Sequence, residues 1–507
     1  MDDVIYNLTI GDPVNLFWVG LGTMLGILVG AIPGLTGAML IALTLPLTYA
    51  MQPTEAMVLL VSMYVGSISG GLITATLLRM PGTPASVITT LDGYPMARDG
   101  KPGRALGLGI MSSFVGGLIS WGFLILLAKP ISHISTELGD FDYFALVLVA
   151  LVLIASVSGK SLAAGIFSGL FGILVTIPGE SPATGVTRAT LGIEQLNGGF
   201  DLLPVLIGLF AVSQVIHEVA QKGGAVEQVS KVKPEGILLG AKDWVAHLVN
   251  MVRSSVIGTW VGILPGIGAN VGSVMAYSAA KSMSKEPEAF GTGSEEGVVA
   301  SEAANNATIG GALIPLVAMG IPGSVIDAIL LGALILHGLQ PGVLLFQNNP
   351  DVVYTIIFTM LIANIAMFGM MVLSAKWISR LATIPRHYLL PVVIVFCVVG
   401  SYALNNRMFD VWVMLAFGVV GFIMERNKIP LAPFVIGFVL APIAEEKLGA
   451  GLQASSGSYL ELVQRPVALT FVLISIVLVV WPIYKSLIKS RSIRDGGDGQ
   501  AEQKEKS

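Results

Sequence analysis

Charged side chains are scarce in this sequence. Only 12% of its 507 residues are Asp, Glu, Lys or Arg, whereas a typical soluble domain has about 25%. Hydrophobic residues make up 54% of the chain, and the mean hydropathy is +0.80. A chain of this length with so little charge must expose most of its surface to lipid. The net charge of −4 is small and spread along the chain, so nothing indicates nucleic-acid binding.

Reactive and metal-binding residues are also few. The single cysteine, Cys397, lies in an apolar run, which excludes an internal disulfide and a cysteine-based metal site. The five histidines do not have the spacing of metal ligands, and the sequence contains no Walker-type phosphate loop. It also lacks a Ser–His–Asp or paired-carboxylate arrangement that would indicate catalysis. We therefore predict a protein that is not an enzyme and carries no cofactor.

What the sequence has in abundance is glycine, with 60 residues, and apolar runs that are broken by Pro-Gly. Residues 26–34 read GILVGAIPG, and residues 258–266 read GTWVGILPG. A second pair, Pro81-Gly82-Thr83 and Pro322-Gly323-Ser324, follows in the same order. Broken helices at corresponding places in two repeats are the best sequence indication of the substrate site of a secondary transporter. The sequence thus predicts an internally duplicated membrane protein.

Lysine and arginine in short loops predict how the segments cross the membrane, because such loops stay in the cytoplasm. Basic clusters lie at residues 98–104, 222–242 and 426–428, among others. If all are cytoplasmic, the apolar segment at 103–127 runs in the opposite direction to its partner at 352–375. We therefore predict an all-α polytopic membrane protein with two inverted repeats, Pro-Gly-broken helices or re-entrant hairpins, and an additional C-terminal helix.

The predicted organisation has five parts. Residues 14–220 form the first membrane repeat, 221–243 a cytoplasmic linker and 244–445 the second membrane repeat. Residues 467–488 form the additional transmembrane helix, and the polar residues 489–507 form a disordered cytoplasmic tail. The first 13 residues contain no Lys or Arg, so we expect no cleavable signal peptide, which needs a basic start.

The Pro-Gly breaks supply the first set of candidate binding residues. Proline interrupts the helical hydrogen-bond ladder, and glycine permits unusual backbone angles. Amides freed at the start of the next half-helix carry partial positive charge and suit an anionic substrate, whereas the freed carbonyls suit sodium. The alternative is a kink or a tight turn between two spans. The substrate-binding candidates at the first pair of breaks are Gly34, Thr36, Gly266, Gly268 and Asn270.

The second pair of breaks adds hydroxyl groups. Thr83 and Ser86 are each suited to cap a half-helix or to bind a carboxylate oxygen. The alternative is a cap without a ligand, although one group is able to serve both purposes. The substrate-binding candidates at this second pair are Gly82, Thr83, Ser86, Gly323 and Ser324.

Two polar stretches interrupt the apolar segments ahead of the second pair of breaks. Polar groups inside a membrane are costly and are functional by default, since their oxygens suit a cation and their amides a carboxylate. The alternative is that they only form hydrogen bonds between helices. Asp327 and Glu302 lie close by and are candidates for a coupling cation or a proton. The candidates for binding a cation or the substrate are Ser67, Ser69, Asn305, Asn306 and Thr308.

These motifs resemble the large membrane subunit of the tripartite tricarboxylate transporters, the TctA family. The resemblance rests on residues 26–38, 81–98, 258–270 and 320–342, and it includes the unusual stretch LDGYPMAR at 91–98. The repeat pattern extends the likeness to nearly the whole chain. The family motif positions that carry over are Pro33-Gly34, Pro81-Gly82-Thr83, Pro265-Gly266, Asn305-Asn306 and Pro322-Gly323-Ser324.

The resemblance implies a secondary transporter of the bacterial inner membrane that takes up a carboxylate, such as citrate, another tricarboxylate, a dicarboxylate or an aromatic acid. It implies two partners, a small four-helix membrane subunit (TctB-like) and a periplasmic solute-binding protein (TctC-like). It also implies uptake that is driven by a sodium or proton gradient. The repeats themselves suggest a site near the midplane and alternating access, for which we favour an elevator-like motion.

Two other classes of function stay open at this point. A cation/proton antiporter without an organic substrate also uses inverted repeats and broken helices, but the many neutral hydroxyls and few buried acids count against it. A membrane-embedded enzyme requires a charged or metal-binding constellation inside the membrane, and the sequence shows none.

Overall fold

The computed structural model of the chain describes residues 12–32, 35–80, 82–157, 161–220, 236–265, 268–381 and 389–480. Most of these residues are helical. The only strands among them are Gly179–Glu180 and Thr187–Arg188, which pair antiparallel. Six of the described helices are long and apolar enough to cross a membrane. The prediction of an all-α polytopic membrane protein is confirmed.

The helices of the first half begin where the residue types favour it. Asp12 and Thr36 accept hydrogen bonds from backbone N–H groups at the starts of the first two helices, and proline opens the first, third and fifth. A 3₁₀ turn, Pro84–Val87, precedes the fourth. These helices are α1 (Pro13–Gly30), α2 (Gly37–Thr48), α3 (Pro53–Leu78), α4 (Thr89–Arg98), α5 (Pro102–Thr136), α6 (Asp140–Val157), α7 (Leu162–Val175) and α8 (Leu202–Ala220).

The helices of the second half follow a similar order of long and short elements. They are α9 (Ala241–Ile263), α10 (Gly268–Met283), α11 (Glu295–Met319), α12 (Val325–Leu336), α13 (Val343–Asn348), α14 (Pro350–Leu381), α15 (Leu389–Asn405), α16 (Met408–Arg426), α17 (Leu431–Ala454), α18 (Leu460–Gln464) and α19 (Pro466–Val480).

The observed helix ends differ from some predicted boundaries. Helix α9 begins at Ala241, so the last residues of the predicted linker (221–243) form its first turn. Helix α17 continues past residue 445, the predicted end of the second repeat, to Ala454. Helix α19 covers the start of the predicted C-terminal span, while residues 221–235 and 481–507 lie outside the described residues.

The same close helix contact occurs in both halves. Helix α1 packs along α3, and a Cβ at Gly30 would collide with the carbonyl oxygen of Ser67. Helix α9 packs along α11, and a Cβ at Gly262 would lie 2.6 Å from the carbonyl oxygen of Thr308. Each glycine ends a GxxxG pattern, which permits such close backbone approach. The matching contacts support the duplication, and the inverted relation of the halves stays a prediction.

The later helices of each half pack on helices of the other half. Helix α17 lies against α7, where a Cβ at Gly437 would collide with the carbonyl oxygen of Gly169. Helix α16 lies against α8, where a Cβ at Gly208 would collide with the carbonyl oxygen of Met414. Because helices of one half pack on helices of the other, elements of both halves surround one central region.

Asp92, in the first turn of α4, joins the two halves at the loop that precedes α11. One of its carboxylate oxygens accepts hydrogen bonds from the backbone N–H groups of Gly291 and Gly293, at 2.8 and 2.9 Å. The same oxygen accepts a third from the N–H of Ser294 at 2.8 Å. The other accepts the hydroxyl of Tyr277 at 2.7 Å. This fully buried carboxylate therefore organises the loop between α10 and α11.

Replacing Asp92 with asparagine is expected to lower the free energy of unfolding by about 2 kcal/mol, because hydrogen bonds to a charged group contribute about 1.5–3 kcal/mol each. The measurement is the thermal unfolding midpoint of the purified protein in detergent. Asp99→Asn, at an exposed position at the end of the same helix, is the matched control. An equal shift in both variants would contradict a special role for Asp92.

Candidate functional site

A cavity of about 640 Å³ is lined by residues from both halves of the chain. The first half contributes the start of α2, the face of α3 around Tyr64 and Ile68, and the break at Thr83. The second half contributes the start of α10, the start of α12 and the turn between α16 and α17. The volume is in the usual range for small-molecule sites, about 300–1,000 Å³.

Helix N-termini surround this cavity. Thr36 caps α2 by accepting the N–H of Met39 at 3.1 Å, and Gly268 is the first residue of α10. Thr83 caps the 3₁₀ turn that leads into α4, and Ser324 caps α12. The N-terminus of an α-helix carries roughly half a positive charge. The wall of the cavity therefore favours an anion.

The structure brings together many of the residues that the sequence singled out. Gly34 and Gly266 lie outside the described residues. The predicted residues that line the cavity are Thr36, Thr83, Gly268, Asn270, Thr308 and Ser324.

The two capping motifs at the second pair of breaks have the same local geometry. Thr83 accepts the N–H of Ser86 at 3.3 Å, and their hydroxyl oxygens are 2.6 Å apart. Ser324 accepts the N–H of the residue three positions later, Asp327, at 3.4 Å. Its hydroxyl also lies 3.4 Å from that of Tyr64, on α3 of the other half. The caps thus serve the helices and face the cavity at the same time.

Gly82 and Gly323 do not line the cavity. A Cβ at Gly82 would collide with the carbonyl oxygen of Gly30 and lie 2.8 Å from the Cα of Gly71. A Cβ at Gly323 would lie 2.8 Å from the Cβ of Ala312. Both glycines therefore let the chain after the break pack against helices of its own half. Their substitution would disturb this packing and is a poor test of substrate binding.

Several polar candidates are engaged in packing between helices. The Ser69 hydroxyl donates to Oδ1 of Asn306 at 2.6 Å, which connects α3 to α11. Nδ2 of Asn306 donates to the carbonyl oxygen of Glu302 at 3.3 Å. The Ser67 hydroxyl instead donates within α3, to the carbonyl oxygen of Tyr64 at 2.9 Å. For Ser69 and Asn306, the alternative that polar groups form hydrogen bonds between helices therefore fits the structure well.

Asn305 differs from its neighbour Asn306. Its side chain is fully buried and lies near the carboxylate of Glu302, but neither its amide nitrogen nor its amide oxygen makes a hydrogen bond of normal geometry among the described residues. Thr308, one turn further along α11, lines the cavity and donates to the carbonyl oxygen of Asn305 at 2.6 Å. Asn305 itself does not line the cavity. Since an unpaired buried amide costs about 1–3 kcal/mol, it is nevertheless a stronger candidate than Asn306 for a contact with a ligand or cation.

Glu302, also on α11, is a fully buried carboxylate whose two oxygens are both engaged. One accepts the hydroxyl of Thr89 and the other that of Ser113, the latter at 3.2 Å. These donors come from α4 and α5. The arrangement joins three helices and leaves no carboxylate oxygen of Glu302 without a partner.

The sequence reasoning missed the part of the cavity wall that comes from α8, α16 and α17. Phe210, Glu425 and Lys428 line the cavity there. Lys428 is its only lysine or arginine among the described residues, and it has a left-handed backbone with φ of 59°. Arg426 and Lys428 served only to predict orientation, and the positions of α16 and α17 beside the helix breaks were not visible from their local sequences.

Helices that are broken in both halves, with their ends gathered around one cavity, are the architecture of a membrane transporter. Comparison with known proteins identifies the family of transporter to which the chain belongs. The sequence model of the family described as "Tripartite tricarboxylate transporter TctA family" matches residues 16–436. The chain belongs to this family and is a multi-pass protein of the inner membrane.

Two proteins of Agrobacterium vitis are similar to this chain. One, described as "Uncharacterized 52.8 kDa protein in TAR-I ttuC' 3'region", is 33% identical over 501 residues, which cover 98% of this chain and 99% of that protein. The other, described as "Uncharacterized protein in TAR-II ttuC' 3'region", is 36% identical over 239 residues, or 47% of this chain and 97% of that protein. No solved structure matches the chain.

Proposed function

We propose that this chain carries a carboxylate anion across the inner membrane through the cavity, with the energy of a cation gradient. Family membership supports the role of a tricarboxylate transporter. The observation that carries the proposal is the gathering of helix N-termini from both halves around one cavity. Such ends stabilise negative charge without placing a buried cation in the membrane.

The polar groups in the wall suit a small acid with more than one carboxylate. The hydroxyls of Thr36, Thr83 and Ser324 are hydrogen-bond donors at the starts of the helical segments that follow the breaks. The side-chain amide of Asn270 is a further donor. Lys428 supplies a positive charge at the turn between α16 and α17. We propose that these groups divide the carboxylates of a di- or tricarboxylate between the helix ends and the lysine.

Uptake of such an anion requires coupling. Moving one elementary charge against the membrane potential costs about 2.3 kcal/mol per 100 mV, so a multiply charged acid needs cotransported cations. We propose sodium or protons for this purpose. We also propose a small four-helix membrane subunit and a periplasmic solute-binding protein as partners, in line with the tripartite family.

We also propose that the cavity faces the cytoplasm in this conformation. Its wall includes the turn between α16 and α17, with Lys428 next to Arg426, and basic turns stay in the cytoplasm. We propose that the broken helices move relative to α16 and α17, in an elevator-like way, to expose the site on the other side.

The test is uptake by proteoliposomes that contain the chain, the four-helix subunit and the solute-binding protein, with a panel of labelled carboxylates. We expect saturable accumulation of at least one di- or tricarboxylate that requires the binding protein and an ion gradient. Exchange of sodium for protons without any dependence on a carboxylate would overturn the proposal and favour the antiporter alternative.

A further inference from the structure

Asp327 is a buried carboxylate that lies beside its helix cap, Ser324. It lies in the first turn of α12, it is fully buried, and neither of its oxygens has a hydrogen-bond partner among the residues that the structure describes. An ionised carboxylate in the interior of a membrane is costly unless a positive charge or a proton accompanies it. The partial positive charge at the start of α12 offsets part of this cost, and the remaining cost makes Asp327 a favourable place for a cation or a proton to bind.

The position of Asp327 connects it to the cavity. Its backbone N–H donates to the hydroxyl of Ser324, and that hydroxyl lies 3.4 Å from the hydroxyl of Tyr64. Both Ser324 and Tyr64 line the cavity, as do the two residues that precede Asp327 in α12. The carboxylate thus lies directly behind the part of the wall where α3 and α12 meet. Tyr64 is the ionisable side chain that faces it from α3.

Comparison of the two repeats shows that this carboxylate is an addition to the common motif. Ser86 holds the place of Asp327 in the first half, three residues after the cap. Its hydroxyl is 2.6 Å from that of Thr83, so the first-half motif satisfies its own polar groups. The second-half motif has the same cap, but its third residue is a carboxylate, which lies next to Ser324 and makes no hydrogen bond of normal geometry among the described residues. Capping alone does not require a charge at this position, since serine completes the motif in the first half.

We propose that Asp327 binds the coupling cation, a proton or a sodium ion, next to the substrate cavity. Ser324 and Tyr64 line the cavity beside Asp327, and their hydroxyl oxygens would share a cation with the carboxylate. A cation there would reduce the negative charge behind the wall at the moment when an anionic substrate occupies the cavity. Substrate and cation would then each favour the binding of the other, which is the requirement for cotransport. This inference rests on the proposed function.

The test separates coupling from substrate translocation in the complete reconstituted system. Asp327→Asn is expected to retain exchange of labelled for unlabelled carboxylate at equal concentrations on both sides, and to lose gradient-driven accumulation by at least tenfold. Asp327→Glu keeps the charge and is expected to retain accumulation with a changed cation concentration at half-maximal rate. Varying sodium at fixed pH, and pH without sodium, identifies which cation the wild-type protein uses.

Glu302→Gln is the matched control, because that buried carboxylate already accepts hydrogen bonds at both oxygens. We expect it to retain the cation dependence of the wild-type protein. The proposal is overturned if Asp327→Asn accumulates substrate like the wild-type protein, if it loses exchange together with accumulation, or if Glu302→Gln loses accumulation to the same extent. A wild-type protein that transports no carboxylate would instead refute the proposed function.

Discussion

Replacing Lys428 with glutamate is expected to reduce carboxylate uptake by about a hundredfold, and replacing it with glutamine by about tenfold. A hydrogen bond to a charged group contributes about 1.5–3 kcal/mol, and each 1.4 kcal/mol changes affinity tenfold. Lys428 is exposed to solvent in the cavity wall, so the neutral substitution should fall at the lower end of that range. Reversing the charge adds repulsion of the anionic substrate.

The measurement is the substrate concentration for half-maximal uptake in proteoliposomes. Arg426→Gln is the matched control, because Arg426 lies in the same turn but does not line the cavity. We expect this control to leave the half-maximal concentration within about twofold of the wild-type value. Equal effects of Arg426→Gln and Lys428→Gln would mean that the turn acts only through its general charge.

Two adjacent asparagines are expected to respond in opposite ways to alanine. Asn306→Ala removes the acceptor of the Ser69 hydroxyl and leaves that buried group unpaired, which should lower the free energy of unfolding by about 2 kcal/mol. Asn305→Ala removes an amide that makes no hydrogen bond of normal geometry among the described residues. It should therefore leave the stability unchanged or raise it, while it reduces uptake by at least about tenfold.

Thermal unfolding and transport must be measured on the same preparations of the two variants. The informative result is that stability and transport change separately in the two variants. Asn305→Ala is then stable but inactive, whereas Asn306→Ala is less stable but retains transport per folded molecule. If Asn305→Ala transports normally, Asn305 takes no part in binding the substrate or the cation. If both variants lose stability equally, the contrast between the two side chains is wrong.

The general architecture was accessible from the sequence because it follows from strong local signals. Low charge and long apolar runs predict membrane helices, and the paired Pro-Gly breaks predict where those helices are interrupted. The structure places residues close to the breaks, such as Thr36, Thr83 and Ser324, around one cavity. Their hydroxyls cap the new helices, and capping is a local property that the sequence displays.

Other features depend on contacts between distant segments and were not predictable. Gly82 and Gly323 are predicted binding residues because they follow proline. Their close packing against Gly30 and Ala312, which lie on other helices, is not visible from the local sequence. Lys428 reaches the cavity only because α16 and α17 pack beside the breaks. Nor does the sequence distinguish Asn305 from Asn306, since their environments differ by which helix each one faces.

The most direct test of a shared site uses the protection of single cysteines by substrate. Cys397 is the only native cysteine and is buried, so Cys397→Ser gives a background for Thr36→Cys, Ser324→Cys and, outside the cavity, Ser282→Cys. We predict that one carboxylate slows the reaction of a charged thiol reagent with the cysteines at 36 and 324, at the same half-protecting concentration, and leaves the cysteine at 282 unaffected. Protection of only one of the two cavity positions, or of neither, would contradict a site built from both halves.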